Sequence, residues 1–378
     1  MGSFGRVAWL LLSLSSFGFV QGQQAQSPAA PPPAGAPASA NDDNKKEDRS
    51  AGSTQPSPAL AAPAKAADPD DAALPTEDFT NLAVPPDLQM ASDQLGEQEY
   101  PGYTRELVRL MWRGADPIDL WVLRPTGVKK PPVVLYLYSY PSSNIRYQNL
   151  ELCKFLTQDG VAAVGFLSAL TGDRFHDRPQ KQWFISELQE SMGSSVHDVQ
   201  IILQYLDKRG DMDMTRVGMF GDGSGASIAI MAAAVDQRIK VLDLLNPWGD
   251  WPDWMAKSTL VPEKERPDYL KPDFLKKVEN LDPVKWFPQL KTPQIRLQVI
   301  KSGHTVTPMV VKERMEAAAP QQTKIVHYED TKTFMSDVVA KGKNFEWIQG
   351  QLRALDMPSH ASDRSQAKSK APVGGSSR

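Results

Sequence analysis

Apolar positions along the chain fall into short runs and longer amphipathic stretches. Two half-buried strands are predicted at Tyr103–Trp112 and Ile118–Arg124, joined by a turn-rich Gly-Ala-Asp-Pro connection that favours a hairpin. Nearly continuous apolar runs at Pro132–Tyr140 and Val161–Phe166 are typical of central parallel strands covered on both faces. An antiparallel pair followed by repeated β–α units predicts an α/β fold, a doubly wound and mostly parallel sheet with an antiparallel start.

The later elements are predicted from the same periodicities. A Trp- and Pro-rich stretch at about 248–290 interrupts the strand–helix alternation and predicts a helical cap insertion. The other predicted elements are strands at Arg216–Phe220, Ile239–Leu245, Gln294–Ile300 and Lys324–Tyr328, and helices at Leu150–Thr157, Trp183–Lys208, Ser227–Val235, Pro308–Ala319 and Phe334–Leu355.

The N-terminal residues have the composition of an export signal. Met1–Arg6 carries one positive charge, Val7–Val20 is an apolar run, and Gly22 supplies a small residue for cleavage, so residues 1–22 are predicted to be a secretory signal peptide. We expect export to the periplasm or the extracellular space, with no transmembrane segment after cleavage. The alternative is an uncleaved anchor, for which this run is short against a bilayer core of about 30 Å.

Composition also divides the rest of the chain. Residues 23–77 are rich in Ala, Pro, Ser and Gln, and residues 357–378 are polar and slightly basic. Such stretches cannot bury enough apolar surface to offset the entropy lost on ordering, so a disordered linker and a disordered tail are predicted. The folded domain is therefore expected at 78–356.

Charge and residue counts exclude several classes of function. The chain of 378 residues has 42 basic and 45 acidic side chains, a net charge of −3, which argues against a nucleic-acid partner. A single cysteine excludes a disulfide framework. Five histidines without the i, i+4 spacing of a helical zinc motif argue against a metal site, and no cofactor is expected.

The segment Val217–Lys240 resembles the strand, tight turn and helix of the α/β-hydrolases. Its glycines Gly221 and Gly225 have the four-residue spacing of the Gly-x-Ser-x-Gly motif, and an Ala-rich helix and Asp-Gln-Arg-Ile-Lys follow. The similarity is greatest to the acetyl xylan esterase, dienelactone hydrolase and prolyl-oligopeptidase branch. The order of elements over the folded region agrees with it. The resemblance implies an α/β-hydrolase fold of serine esterase or peptidase ancestry.

The same resemblance implies a degenerate catalytic triad. Gly223 stands where the family has its nucleophilic serine, His304 stands at or near the position of the acid, and Thr333 or Lys332 stands at that of the histidine. The oxyanion region, Tyr138–Pro141, lacks the usual glycines. Because acyl-enzyme chemistry needs a nucleophile, a base and an orienting group, we expect it to be absent.

Two functional hypotheses follow. The first is an exported pseudohydrolase that acts by binding or scaffolding. The second is an active secreted carboxylic-ester or acyl hydrolase that uses Ser224 with His304, although Ser224 has an alternative structural role as a helix N-cap.

Candidate binding residues are aromatic. Trp248, Trp251 and Trp254 lie in the predicted insertion, and with Tyr138 they suggest a cleft for a small-molecule ester, a sugar or a peptide. The alternative for the tryptophans is packing of the cap on the body of the domain. The sequence does not indicate an oligomeric state.

Overall fold

The computed structural model describes residues 77–85, 88–113, 116–175, 184–303 and 305–355. The predicted signal peptide, the tail, and the linker apart from Glu77 lie outside these ranges. Nine strands form one sheet within them: β1 (Ala91–Tyr100), β2 (Tyr103–Met111), β3 (Ile118–Pro125), β4 (Val133–Leu137), β5 (Ala162–Gly165), β6 (Val217–Asp222), β7 (Ile239–Leu245), β8 (Gln294–Ser302) and β9 (Thr323–Asp330).

The sheet has the predicted topology. Its strand order is β1-β2-β3-β5-β4-β6-β7-β8-β9. The β1–β2, β2–β3 and β3–β5 pairs are antiparallel, and every pair from β5–β4 to β8–β9 is parallel. The carboxyl ends of the parallel strands therefore meet at one edge, where ligands bind in open α/β sheets.

Helices cover both faces of the sheet. They are α1 (Leu150–Thr157), α2 (Leu188–Arg209), α3 (Ser224–Val235), α4 (Trp251–Lys257), α5 (Arg266–Tyr269), α6 (Pro272–Val278), α7 (Pro283–Trp286), α8 (Met309–Ala318), α9 (Thr331–Phe334) and α10 (Glu346–Ala354). No helix in the described part of the chain has the length and apolar character needed to cross a membrane.

Alternate side chains of the central strands enter two separate cores. In β4, Val133, Leu135 and Leu137 pack with α2 and α3, whereas Val134 and Tyr136 pack with α1 and α10. Since β4 is buried on both faces, its apolar run is continuous rather than alternating. The helices α4–α7, which occupy the region predicted as a cap, contribute to the first of these cores.

Two parts of the predicted fold need correction. The strand β1 was not predicted, because its residues are almost all exposed and polar and give no alternating apolar face. The single closing helix predicted at Phe334–Leu355 is instead α9, a π-helical turn at Met335–Val339, and the separate helix α10. Gly342 lies in the turn between these segments with φ 65°, a conformation that ends a helix and that glycine adopts readily.

The first described residues are tied to α2 by a buried ionic contact. The Glu77 carboxylate accepts from Arg113 Nε at 2.6 Å and lies 2.5 Å from His197 Nδ1, while His197 Nε2 lies 2.6 Å from the Asn81 carbonyl oxygen. Both ring nitrogens of His197 are therefore in hydrogen-bonding contact with residues at the start of the described chain. Burial acts to raise the pKa of Glu77, but the hydrogen bonds from His197 and Arg113 outweigh it and lower the pKa to about 2.

We expect Glu77→Gln to destabilise the domain at pH 7 by roughly 3 kcal/mol. The lowered pKa means that the ionised carboxylate stabilises the fold fully above about pH 4.5, its ordinary pKa, and loses this effect as the pH falls towards 2. Urea unfolding at pH 7 and pH 3 checks this. The difference in the free energy of unfolding between wild type and Glu77→Gln should narrow at pH 3. Glu279→Gln, which removes an exposed ion pair with Lys285, is the control and should have little effect at either pH. A difference that is independent of pH contradicts a stabilising role for the ionised Glu77 carboxylate.

Candidate active site

The turn between β6 and α3 has the geometry of a nucleophile elbow. Gly223 lies at its apex with φ 54° and ψ −115°, a conformation that costs L-residues with a side chain free energy. The flanking glycines allow close packing. A Cβ at Gly221 would lie 2.5 Å from Ala226 Cα, and one at Gly225 would lie 2.1 Å from the Leu137 carbonyl oxygen. The sequence therefore builds the elbow but places no side chain at its apex.

The space into which a side chain at position 223 would point is already occupied. A Cβ added to Gly223 would lie 2.3 Å from Ser139 Oγ and 2.9 Å from Trp248 Nε1. Both distances are shorter than any real Cβ contact, so a side chain at the apex requires its neighbours to move. The hydroxyl of Ser139, in the loop after β4, thus occupies the space in which a Gly-x-Ser-x-Gly elbow carries its reactive hydroxyl.

Ser224 is fully buried and holds this loop in place. Its Oγ accepts a hydrogen bond from the Tyr140 N–H at 2.9 Å, and its own N–H donates to Ser139 Oγ at 3.4 Å. The N-cap of α3 is Gly223, so the hydroxyl of Ser224 has no capping role and joins two segments instead. The capping alternative is therefore wrong for Ser224, whereas its role as a nucleophile stays a prediction.

Both contacts involve the backbone donors that form an oxyanion hole in this kind of elbow. Those donors are the N–H after the apex residue and an N–H from the loop after the neighbouring strand, which correspond here to Ser224 and Tyr140. An oxyanion hole works when its N–H groups point at the oxygen on which charge develops. In this chain each N–H already has a serine hydroxyl as its acceptor.

The loop after β8 is held by a buried lysine. Lys312 Nζ donates to the Ile300 carbonyl oxygen at 2.5 Å and to Thr305 Oγ1 at 2.9 Å. Burial lowers the pKa of Lys312 to about 8. His304 lies outside the described residues, so its pairing with Ser224 stays a prediction.

The loop after β9 begins a helix. The Asp330 carboxylate accepts from the Thr333 N–H at 2.7 Å and caps α9; Thr333 is half-buried and Lys332 is exposed. The histidine within β9, His327, is 42% exposed and pairs with Glu316 at 3.0 Å. The assignment of Thr333 or Lys332 to the histidine position of the α/β-hydrolases stays a prediction.

The three tryptophans are core residues. Trp248, Trp251 and Trp254 are 0, 1 and 0% exposed. Trp248 and Trp254 rings lie 4.4 Å apart between centroids, and Trp251 meets Trp254 edge-on at 6.1 Å. With no ring face exposed to solvent, the aromatic-platform prediction is wrong for these side chains, and packing of the insertion on the body of the domain accounts for them.

Tyr138 lies in a polar cluster at the carboxyl edge of the sheet. It is half-buried at the end of β4, and the guanidinium of the buried Arg146 lies over its ring at 3.6 Å. Asp222, the last residue of β6, is half-buried beside them. Burial raises the pKa of Asp222 to about 6, and the charge of Arg146 opposes this rise only in part.

Sequence reasoning missed Arg146 as part of the site. It lies in a short 3₁₀ helix, Asn144–Gln148, whose charged residue looks like any surface arginine in the sequence. Asp222 is recognisable in the sequence, because it directly precedes the elbow apex at the carboxyl end of a central strand, where it is a candidate to orient a base for Ser224.

Solved structures with the same architecture are enzymes of the hydrolase class. The acetyl xylan esterase from Paenibacillus sp. R4 is 18% identical, with a TM-score of 0.50 over 67% of this chain and 84% of that one. The acylaminoacyl peptidase from Pyrococcus horikoshii is 12% identical, with a TM-score of 0.52 over 67% of this chain and 42% of that one. The S-formylglutathione hydrolase from Agrobacterium tumefaciens is 14% identical, with a TM-score of 0.50 over 69% of this chain and 99% of that one.

These similarities establish the fold. The chain has the α/β-hydrolase fold, with the antiparallel start and the mostly parallel sheet that the sequence predicts. Comparisons of the sequence with protein-family models and with curated proteins found no match. At identities this low the shared fold says nothing about activity, which must be argued from the residues of the site.

We expect Gly223→Ser to destabilise the domain by roughly 2 kcal/mol or more, through backbone strain and collision with Ser139. Gly210→Ser is a reference with open space around its Cβ position, although its αL conformation, φ 70° and ψ 7°, costs a side chain less than that of Gly223, so the collision itself is isolated by the cycle with Ser139. In a double-mutant cycle, Ser139→Gly should recover about 1 kcal/mol of the loss in Gly223→Ser. Equal losses at Gly223 and Gly210, measured by urea unfolding, contradict the filled apex.

Proposed function

We propose that this chain is an exported α/β-hydrolase-fold protein that lacks triad chemistry and acts by binding or scaffolding. The observation that carries the proposal is the apex of the elbow, where Gly223 has no nucleophile and Ser139 Oγ occupies the space for one. The occupied backbone donors at Ser224 and Tyr140 support it, because an acyl-transfer site needs them free for substrate.

The alternative function is an active carboxylic-ester or acyl hydrolase that uses Ser224 with His304. The esterases and peptidase of similar fold favour it in general terms. The burial of Ser224 and the hydrogen bond that its Oγ accepts from Tyr140 count against it, because a nucleophile has to reach an acyl carbon.

The export part of the proposal depends on residues 1–22, whose charged start, apolar run and small residue near Gly22 fit a cleaved signal peptide. The bound partner in this proposal is a small-molecule ester, a sugar or a peptide rather than nucleic acid, given the net charge of −3. Binding would take place at the carboxyl edge of the sheet, where Tyr138 lies.

A fluorophosphonate probe tests the loss of chemistry. We expect no adduct on the chain purified from a secreting host, read by intact mass, while a serine esterase treated in parallel is labelled completely. The same mass reading should show a chain that begins at Gln23.

An adduct on Ser224 that disappears in a folded Ser224→Ala variant would overturn the proposal and support the active hydrolase. A mass that retains residues 1–22 would contradict signal cleavage without affecting the conclusion about chemistry.

A further inference from the structure

The polar cluster beside the elbow has groups that are left without partners by the fold. Asp222 makes no hydrogen bond or ion pair with any described residue, although it is half-buried. The Tyr138 hydroxyl is buried and has no partner in the described structure. Burying polar groups in this way costs free energy, which a ligand that pairs with them would recover.

Arg146 presents an unused donor face to the same place. Its Nε donates to the Ser143 carbonyl oxygen at 3.2 Å, and stacking on Tyr138 fixes the plane of the guanidinium. No carboxylate of a described residue forms an ion pair with this side chain at 4.0 Å or less. A planar guanidinium held by a ring and one backbone oxygen is oriented to receive a planar anion through its remaining N–H groups.

The arrangement is unlike a structural ion pair. Arg146 and Asp222 influence each other electrostatically, yet no nitrogen–oxygen distance of 4.0 Å or less joins them. The buried pairs of this protein are closed, as in Arg296 and Asp243, whose nearest atoms lie 2.6 Å apart. The two opposite charges therefore do not pair with each other directly, and a ligand group that contacts both would satisfy them.

We propose that Arg146, Tyr138 and Asp222 form a binding site for the carboxylate group of an organic ligand. This proposal rests on the binding function proposed above and names its ligand class. The guanidinium of Arg146 donates to the ligand carboxylate, and the carboxyl group of Asp222, when protonated, donates a second hydrogen bond to it. When Asp222 is ionised, it repels the ligand.

The charged and titratable neighbours of Asp222 set the pH dependence. Of the described residues, Arg146 is the charged group that acts on it, and Tyr138 is the titratable group whose pKa it helps to raise. Since the pKa of Asp222 is about 6, the protonated form that favours binding is lost as the pH rises through 6. Binding should therefore weaken from pH 5.5 to 7.5 by at least about five-fold.

The test is a ¹⁹F NMR titration of the full chain with 4-fluorobenzoate, which remains ionised over this pH range. 4-Fluorobenzoyl-Gly-Gly forms a second arm, because its carboxylate is that of a peptide C-terminus, and 4-fluorobenzamide is the neutral control. We expect a carboxylate probe to bind at pH 5.5 and to weaken at pH 7.5, and the amide not to bind. The arm that binds more tightly distinguishes a small acid from a peptide end.

Variants separate the roles of the two charged residues. Asp222→Asn should bind the carboxylate probe equally at pH 5.5 and pH 7.5, because its amide donates a hydrogen bond without titrating. Arg146→Gln should weaken the affinity for the carboxylate probe by at least about ten-fold. Arg105→Gln is the control, because Arg105 also stacks on a tyrosine ring, and its affinity should be unchanged. Arg146→Lys retains the charge without the planar donors and should bind weakly.

Absence of binding at pH 5.5 in both arms, or a pH dependence that persists in Asp222→Asn, overturns the carboxylate site. Either outcome leaves the fluorophosphonate result unaffected, so failure of this site and failure of the proposed function are distinguishable.

Discussion

The reversal of the chain between β6 and α3 constrains everything around it. It brings strand and helix so close that Gly221 and Gly225 have no room for a Cβ, and it holds Gly223 in a conformation with positive φ. In a serine hydrolase, the fold accepts this strain to present a hydroxyl at the apex. Here the turn persists with a glycine, which adopts the conformation without a Cβ penalty, and the loop after β4 packs into the space that is freed.

The hydroxyls of Ser139 and Ser224 have a structural role as a consequence. Each accepts a hydrogen bond from a backbone N–H of the other segment, so the two segments satisfy each other's donors without substrate. A donor that is already paired has to break a hydrogen bond before it can stabilise an oxyanion. Asp222 and the Tyr138 hydroxyl, next to this turn, are among the polar groups that remain unpaired in the described part of the chain.

The sequence predicted most of the fold because burial leaves clear patterns. Central strands such as β4 are apolar throughout, and the Gly221–Gly225 spacing located the elbow. The sequence-based prediction failed where burial leaves no pattern, as in the exposed strand β1 and the π-helical break after α9. In the site, the tryptophans were ambiguous because aromatic residues suit both cores and clefts, and Arg146 was missed because its position depends on the folding of a loop over Tyr138.

Residue-resolved amide hydrogen exchange at Tyr140 tests the central claim most directly. The hydrogen bond from its N–H to Ser224 Oγ should protect this amide in the wild type. In Ser224→Ala it should exchange at least about ten-fold faster, while the amides of β6 are unchanged. An amide that exchanges in the wild type as fast as a free loop residue would show an open donor at the elbow and contradict the account.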